Sequence, residues 1–188
     1  MVTMEDKQQA AITAAVKTIL QAVGEDPNRP GLVETPQRVA KMYQEVFAGL
    51  TSEFDDYKLF PSHNQGDLVI VKDIAFYSMC EHHLLPFFGE VHIGYYPKGG
   101  QVLGLSKFPR LVEHCAKRPS VQEDLTVMIA DKLNQHVPND GIAVVIEASH
   151  LCMTMRGVKS PHSRTTTSHY SGRFLENETR KEFLAALK

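Results

Sequence analysis

LVIVKDIAFYSMCEHHLLPFFGEVHIGYY, running from Leu68 to Tyr96, is the stretch whose reading sets the fold. Leu68 to Tyr77 is rich in Val, Ile and aromatic side chains, the composition of a strand, and leads directly into Cys80-Glu81-His82-His83. Leu84 to Gly89 reads as a hydrophobic turn. Beyond it Val91, Ile93 and Tyr95 alternate with His92, Gly94 and Tyr96, which predicts a second strand. Strand, loop, strand makes an antiparallel hairpin, with its Cys and His residues at the connecting end.

Downstream, Pro97-Lys98-Gly99-Gly100 turns the chain back, and two helices follow, over about Lys107 to Lys117 and Val121 to His136. Pro119 separates them, and Ser120-Val121-Gln122-Glu123 has the form of a capping box. Asn139-Asp140-Gly141 is a turn signal. Ile142 to Ile146 is a buried strand, continuing through Glu147 to His150 and Cys152. Arg164 to Arg173 makes a last strand, and Asn177 to Lys188 a closing helix with Phe183, Leu184 and Leu187 turned inward.

Upstream, Ile12, Val16, Ile19, Leu20 and Val23 form a helical stripe within Glu5 to Val23, closed by Gly24. Thr35-Pro36 reads as an N-cap and first helical residue, opening a helix to about Phe47. Val39, Met42, Tyr43, Val46 and Phe47 lie on its inner face, Arg38 and Lys41 on its outer face. Thr51 to Asp67 is a polar connection. The expectation is an α+β chain: a helical region over 1–66, then a four-stranded antiparallel ββααββ sheet over 67–188 with helices on one face. Such a sheet has open edges, and pairing them between subunits would make an oligomer.

At 188 residues the chain suits one domain with a core, or a domain plus a helical extension. The 20 Lys and Arg are scattered among 22 Asp and Glu, so no basic face announces a nucleic-acid partner. Met1 to Asp6 lacks a leader pattern, and no apolar run approaches a membrane span. Three cysteines do not form a disulfide framework, which suits a reducing cytoplasm; Cys115 reads as a small core side chain.

Cys80 and His83 are spaced i, i+3, so one turn can aim both at an ion. His150 and Cys152, spaced i, i+2, would share one face of a strand. Two thiolates and an imidazole, Cys80, Cys152 and His83, give Zn2+ three ligands and an open fourth position, the pattern of a catalytic site; iron or another divalent metal stays open. His82 and His150 then stand within reach of the reacting groups. Gly99-x-x-x-x-Gly104 is followed by Leu105-Ser106 and is no P-loop. Ser106, Lys107 and Arg110 at a helix start suit a phosphate oxygen instead, and Arg156 adds a further cation. Glu123 has two readings, a capping-box carboxylate or an acceptor for two N–H groups of a guanine edge.

Cys80-Glu81-His82-His83-Leu84-Leu85-Pro86-Phe87, Gly104-Leu105-Ser106-Lys107, Val121-Gln122-Glu123 and the run from Glu147 to Gly157 together resemble GTP cyclohydrolase I, in order and at fitting separations from about Thr35 onward. The resemblance implies zinc held by Cys80, His83 and Cys152, with His82 and His150 catalytic. It places Gln122 and Glu123 at the purine, Glu123 holding its 2-amino and N–H edge. It gives the triphosphate of GTP to Ser106, Lys107, Arg110 and Arg156, together with Arg38 and Lys41. It further implies the tunnelling fold, sites formed between subunits, and a homodecamer of two stacked pentameric rings. The implied reaction opens GTP at C8, releases formate and forms 7,8-dihydroneopterin triphosphate, the first step of tetrahydrofolate or pterin biosynthesis. Asp124 and Met128 depart from the family pattern at positions outside these sites. Two other readings are a purine-binding protein with a structural zinc, and the nitrile reductase of the same fold, in which Cys80 would be a free nucleophile beside a nicotinamide. Intact His82 and His150 argue against the first, and Cys152 with the tight Cys-Glu-His-His run argues against the second.

Overall fold

The structure is a computed structural model that describes residues 4–64 and 66–188; residues 1–3, part of the stretch read above for a leader, lie outside it. The chain divides into two compact units, Met1–Ala48 and Gly49–Lys188.

In the first unit α1 (Met4–Ala22) and α2 (Thr35–Val46) pack against each other. Gly24 ends α1 as expected. Its φ of +90° lets Gly24 N–H donate to Gln21 O and Glu25 N–H to Leu20 O, the two bonds of a Schellman motif. At α2, Glu34 rather than Thr35 holds the N-cap position, without a side-chain cap bond, and its carboxylate pairs with Arg38 one turn on. Pro36 and Ala40 are the buried residues of α2, and Met42, expected inside, is exposed.

The second unit is a five-stranded sheet in the order β5-β2-β3-β6-β7, formed by β2 (Val69–Cys80), β3 (Pro86–Pro97), β5 (Pro119–Ser120), β6 (Asn139–His150) and β7 (Thr165–Tyr170). With α3 (Lys107–Ala116) and α4 (Gln122–His136), this is the ββααββ order expected of the tunnelling fold, with one strand added. The added β5 runs parallel to the end of β2, pairing Met79 with Pro119 and Cys80 with Ser120. A separate ribbon pairs β1 (Leu59–Pro61) with β4 (Gln101–Leu103). That ribbon and the bond from Gly49 N–H to Lys117 O tie residues 49–66, expected with the helices, to the sheet unit. Strand β3 already begins at Pro86, so two thirds of the expected hydrophobic turn is strand, and β6 begins at the expected turn residue Asn139.

Alternation sorts β3 between two faces. Phe87, Val91, Ile93 and Tyr95 join Ile142, Val144 and Ile146 of β6 in a core closed by Phe108 and Leu111 of α3 and Leu125, Ile129 and Leu133 of α4. On the opposite face Tyr96, Ala143 and Val145 meet Phe174 and Phe183, so the closing helix α6 (Asn177–Ala186) covers the side that was expected to be free of helices. A Cβ on Gly94 would come within 2.8 Å of the Phe183 ring, so only glycine lets α6 lie this close. No helix of the described residues is long and apolar enough to cross a membrane.

Candidate active site

Cys80 is the last residue of β2 and is only 5% exposed. The chain reverses immediately after it. Cys80 O accepts from Leu84 N–H at 2.8 Å and Cys80 N–H donates to Leu85 O at 2.8 Å, closing the turn that presents His82 and His83. Leu84 takes φ +51°, a left-handed conformation that only a surrounding over-determined by such bonds sustains in a non-glycine residue. Strand β5 fixes the turn from outside, because Ser120 O accepts Glu81 N–H at 3.1 Å. The expected capping box is therefore absent. Ser120 is buried in the sheet and donates its hydroxyl to Val121 O, Val121 holds the N-cap of α4, and Glu123 lies exposed in the first helical turn.

Strand β6 ends at His150, and a short helical turn, α5 (Leu151–Thr154), carries Cys152. His150 and Cys152 thus do not share a strand face; the turn sends the thiol toward Cys80 instead. The ligand atoms of Cys80, His83 and Cys152 all lie within 4.8 Å of one another. Tetrahedral zinc with Zn–S and Zn–N bonds of ordinary length needs donors roughly 3.3–3.8 Å apart, so this set fits a zinc ion with only a small contraction. The donors are also of the soft and borderline kind that zinc takes. Burial, with the Cys80 sulfur alongside, pushes the Cys152 thiol above its ordinary range, and proximity to Arg156 partly opposes this. Arg156 Nη1 stands 3.0 Å from His83 Nε2. A guanidinium has no lone pair to offer, so this imidazole nitrogen is the acceptor, and a metal held by His83 through it would have to displace Arg156. His82 is largely exposed, its Nδ1 3.7 Å from Cys80 Sγ.

His150 packs flat on Phe87, with ring centroids 4.8 Å apart and planes 3° from parallel, and its Nε2 lies 2.8 Å from Gln122 Oε1. Burial lowers its pKa, and the charge of nearby Glu123 partly opposes that. Gln122 itself is 1% exposed, and its amide nitrogen contacts Ile146 O, Thr165 O and Thr167 Oγ1, each at 3.0 Å.

A second group lies at the start of α3. Ser106 holds the N-cap position with its hydroxyl unused for capping, and the cations of Lys107 and Arg110 both meet Asp56, at 2.6 Å and 2.9 Å. Hydrogen bonds from Lys107 and then Arg110 hold the Asp56 carboxyl below its ordinary range. Sequence reasoning missed Asp56, which sits in a polar connection without periodicity; the flanking Phe54 and Tyr57, both packed on the core, were the available signal. The ten residues of α3 span about 15 Å, and its far end leads to β5 beside the Cys80 turn, so Lys107 stands well away from the sulfur cluster of its own chain. Arg38 and Lys41 belong to the first unit.

Asp73, Glu90 and His92 also bring ligand atoms within 4.8 Å of one another. His92 Nδ1, however, accepts the backbone N–H of Asp73, whose φ of +61° marks the bulge in β2. The lone pair is spent closing the bulge, which is a structural use of the residue.

The sequence model of a family described as GTP cyclohydrolase I matches residues 12–188. A protein of Enterococcus faecalis named GTP cyclohydrolase 1 is 66% identical over 186 residues, covering 98% of this chain and 100% of its own. Proteins of the same name from Lactiplantibacillus plantarum and Bacillus subtilis are 56% identical over 183 residues and 49% identical over 187; the pairings cover 96% and 98% of this chain and 97% and 98% of theirs.

Proposed function

The chain belongs to the GTP cyclohydrolase I family, and from that premise we propose that it opens the imidazole ring of GTP at C8, releases formate and yields 7,8-dihydroneopterin triphosphate. The observation that carries this reading is the convergence of Cys80, His83 and Cys152, from stretches some seventy residues apart in sequence, beside His150. Those three residues would hold Zn2+, which when bound supplies Lewis-acid activation of water near neutral pH.

The chain's own groups do the rest. His150, held flat against Phe87, exchanges a proton with N7 of the purine, and exposed His82 assists the later transfers. Two carboxylate oxygens let Glu123 accept the 2-amino and N1–H donors of guanine, and the lost capping box leaves that carboxylate available. Gln122 belongs to the same purine-side turn. Ser106, Lys107, Arg110 and Arg156 meet the triphosphate, with Arg38 and Lys41. The length of α3 favours a site shared between subunits, the cations of one chain serving the sulfur cluster of the next, as in a decamer of two pentameric rings.

Incubating the zinc-loaded protein with GTP should release formate and, after oxidation, give pterin fluorescence in equal amounts. Unchanged GTP under those conditions would sink the reading.

A further inference from the structure

We propose that Gln122 is a positioning residue that fixes His150 as its Nε2–H tautomer, so that Nδ1 is the nitrogen presented to the substrate. The role in turnover rests on the cyclohydrolase reading; the tautomer rests on hydrogen-bond geometry alone. Ile146 O and Thr165 O, on neighbouring strands, can only accept hydrogen bonds, and both lie 3.0 Å from the Gln122 amide nitrogen. The reversed amide would set an oxygen against two carbonyl oxygens, so the side chain has one workable orientation. In that orientation Oε1 faces His150 Nε2 at 2.8 Å. An amide oxygen carries no proton, and the proton of this bond must sit on the imidazole.

The arrangement is held from every side. Thr167 Oγ1 lies 3.0 Å from Gln122 Nε2 and 2.7 Å from Thr126 Oγ1, which in turn lies 2.7 Å from Gln122 O. Phe87 keeps the imidazole in its plane, and a ring turned over in that plane would set Cε1 in place of Nε2 against Gln122 and lose the bond. With its side chain buried and both amide atoms committed, Gln122 acts on the purine through His150 rather than by touching it. A proton passed to or from the substrate then moves through Nδ1, while Nε2–H stays on Gln122. Such an orienting partner decides which nitrogen does the work.

The test has two arms. In the first, Gln122→Met keeps the length and removes both polar atoms. We expect kcat for GTP to fall roughly 10–100-fold, as for other orienting partners, with KM within about twofold. The double variant Gln122→Met/His150→Ala should be no slower than His150→Ala alone, because the two residues act as one unit. A raised KM with unchanged kcat would show the side chain serving the purine directly, and losses that multiply would separate the two residues; either overturns the proposal. In the second arm, solid-state 15N spectra of the histidine-labelled wild-type protein, with His150 assigned by its loss in His150→Ala, should show the ring protonated at Nε2 and bare at Nδ1. A ring protonated at Nδ1 alone overturns the proposal even if Gln122→Met does not fold. If the wild-type protein releases no formate while the ring shows the expected tautomer, the failure belongs to the reaction assigned and not to the Gln122–His150 pair.

Discussion

Two polar clusters stand at opposite ends of α3, and they are built in different ways. The Cys80, His83 and Cys152 cluster is positioned by main chain: a strand end, a bonded reversal, a two-residue strand and a helical turn. The Lys107, Arg110 and Asp56 cluster is positioned by charge, with Arg110 60% exposed and Lys107 13%. The first has its geometry whether or not anything binds. The second has an internal carboxylate on its cations, so in the proposed phosphate role binding there would exchange one anion for another. Reaction chemistry needs the first kind of order and reversible anion capture needs the second.

The sharpest way to break this contrast is Cys152→Ser. It should lose bound zinc and formate release together, by three orders of magnitude or more (~10³), because it removes one of the three donors the ion would have. Metal analysis beside the formate assay reads it, and an active, zinc-free variant would refute the ligand assignment. His150→Ala comes next: zinc stays, and turnover falls on the order of 10²–10⁴-fold, the usual contribution of an acid–base group. At the other end of α3 effects should fall on KM. Arg110→Ala should raise the KM for GTP about tenfold with kcat little changed. Asp56→Asn should lower it roughly two- to fivefold by freeing both cations, and a raised KM would show that Asp56 shapes the pocket instead of filling it. The smallest effect concerns the third sulfur. Burial pushes the Cys115 thiol up to about 11, so the fold holds its proton where the unfolded chain releases it. Stability from this group is complete below about pH 9 and is lost as pH rises toward about 11. Alkaline melting curves should flatten in Cys115→Ala, and an unchanged slope would argue against it.

The β2–β3 hairpin was legible because alternation and a chain reversal are local signals, and Cys80 and His83 came with it. Cys152 was found for a reason that does not hold. The spacing from His150 suggested a shared strand face, whereas the strand stops and a helical turn makes the approach. Ser120 shows the converse, a local capping pattern overridden by a tertiary one, since its carbonyl is taken by Glu81 and its backbone by β2. Strands as short as β1, β4 and β5 hold too few residues for any period to emerge. Met42 matched the helical stripe of α2 yet lies exposed, because buried Ala40 takes the inward place.

Helix α3 also works as a mechanical part. Its last residue, Ala116, accepts the hydroxyl of Ser78 at 2.8 Å, and the chain just beyond it holds the turn after Cys80 through Ser120. A rod of under three turns scarcely bends. The distance between the Asp56-paired cations and the turn after Cys80 is therefore set by the helix, and its two ends keep their spacing as one rigid piece.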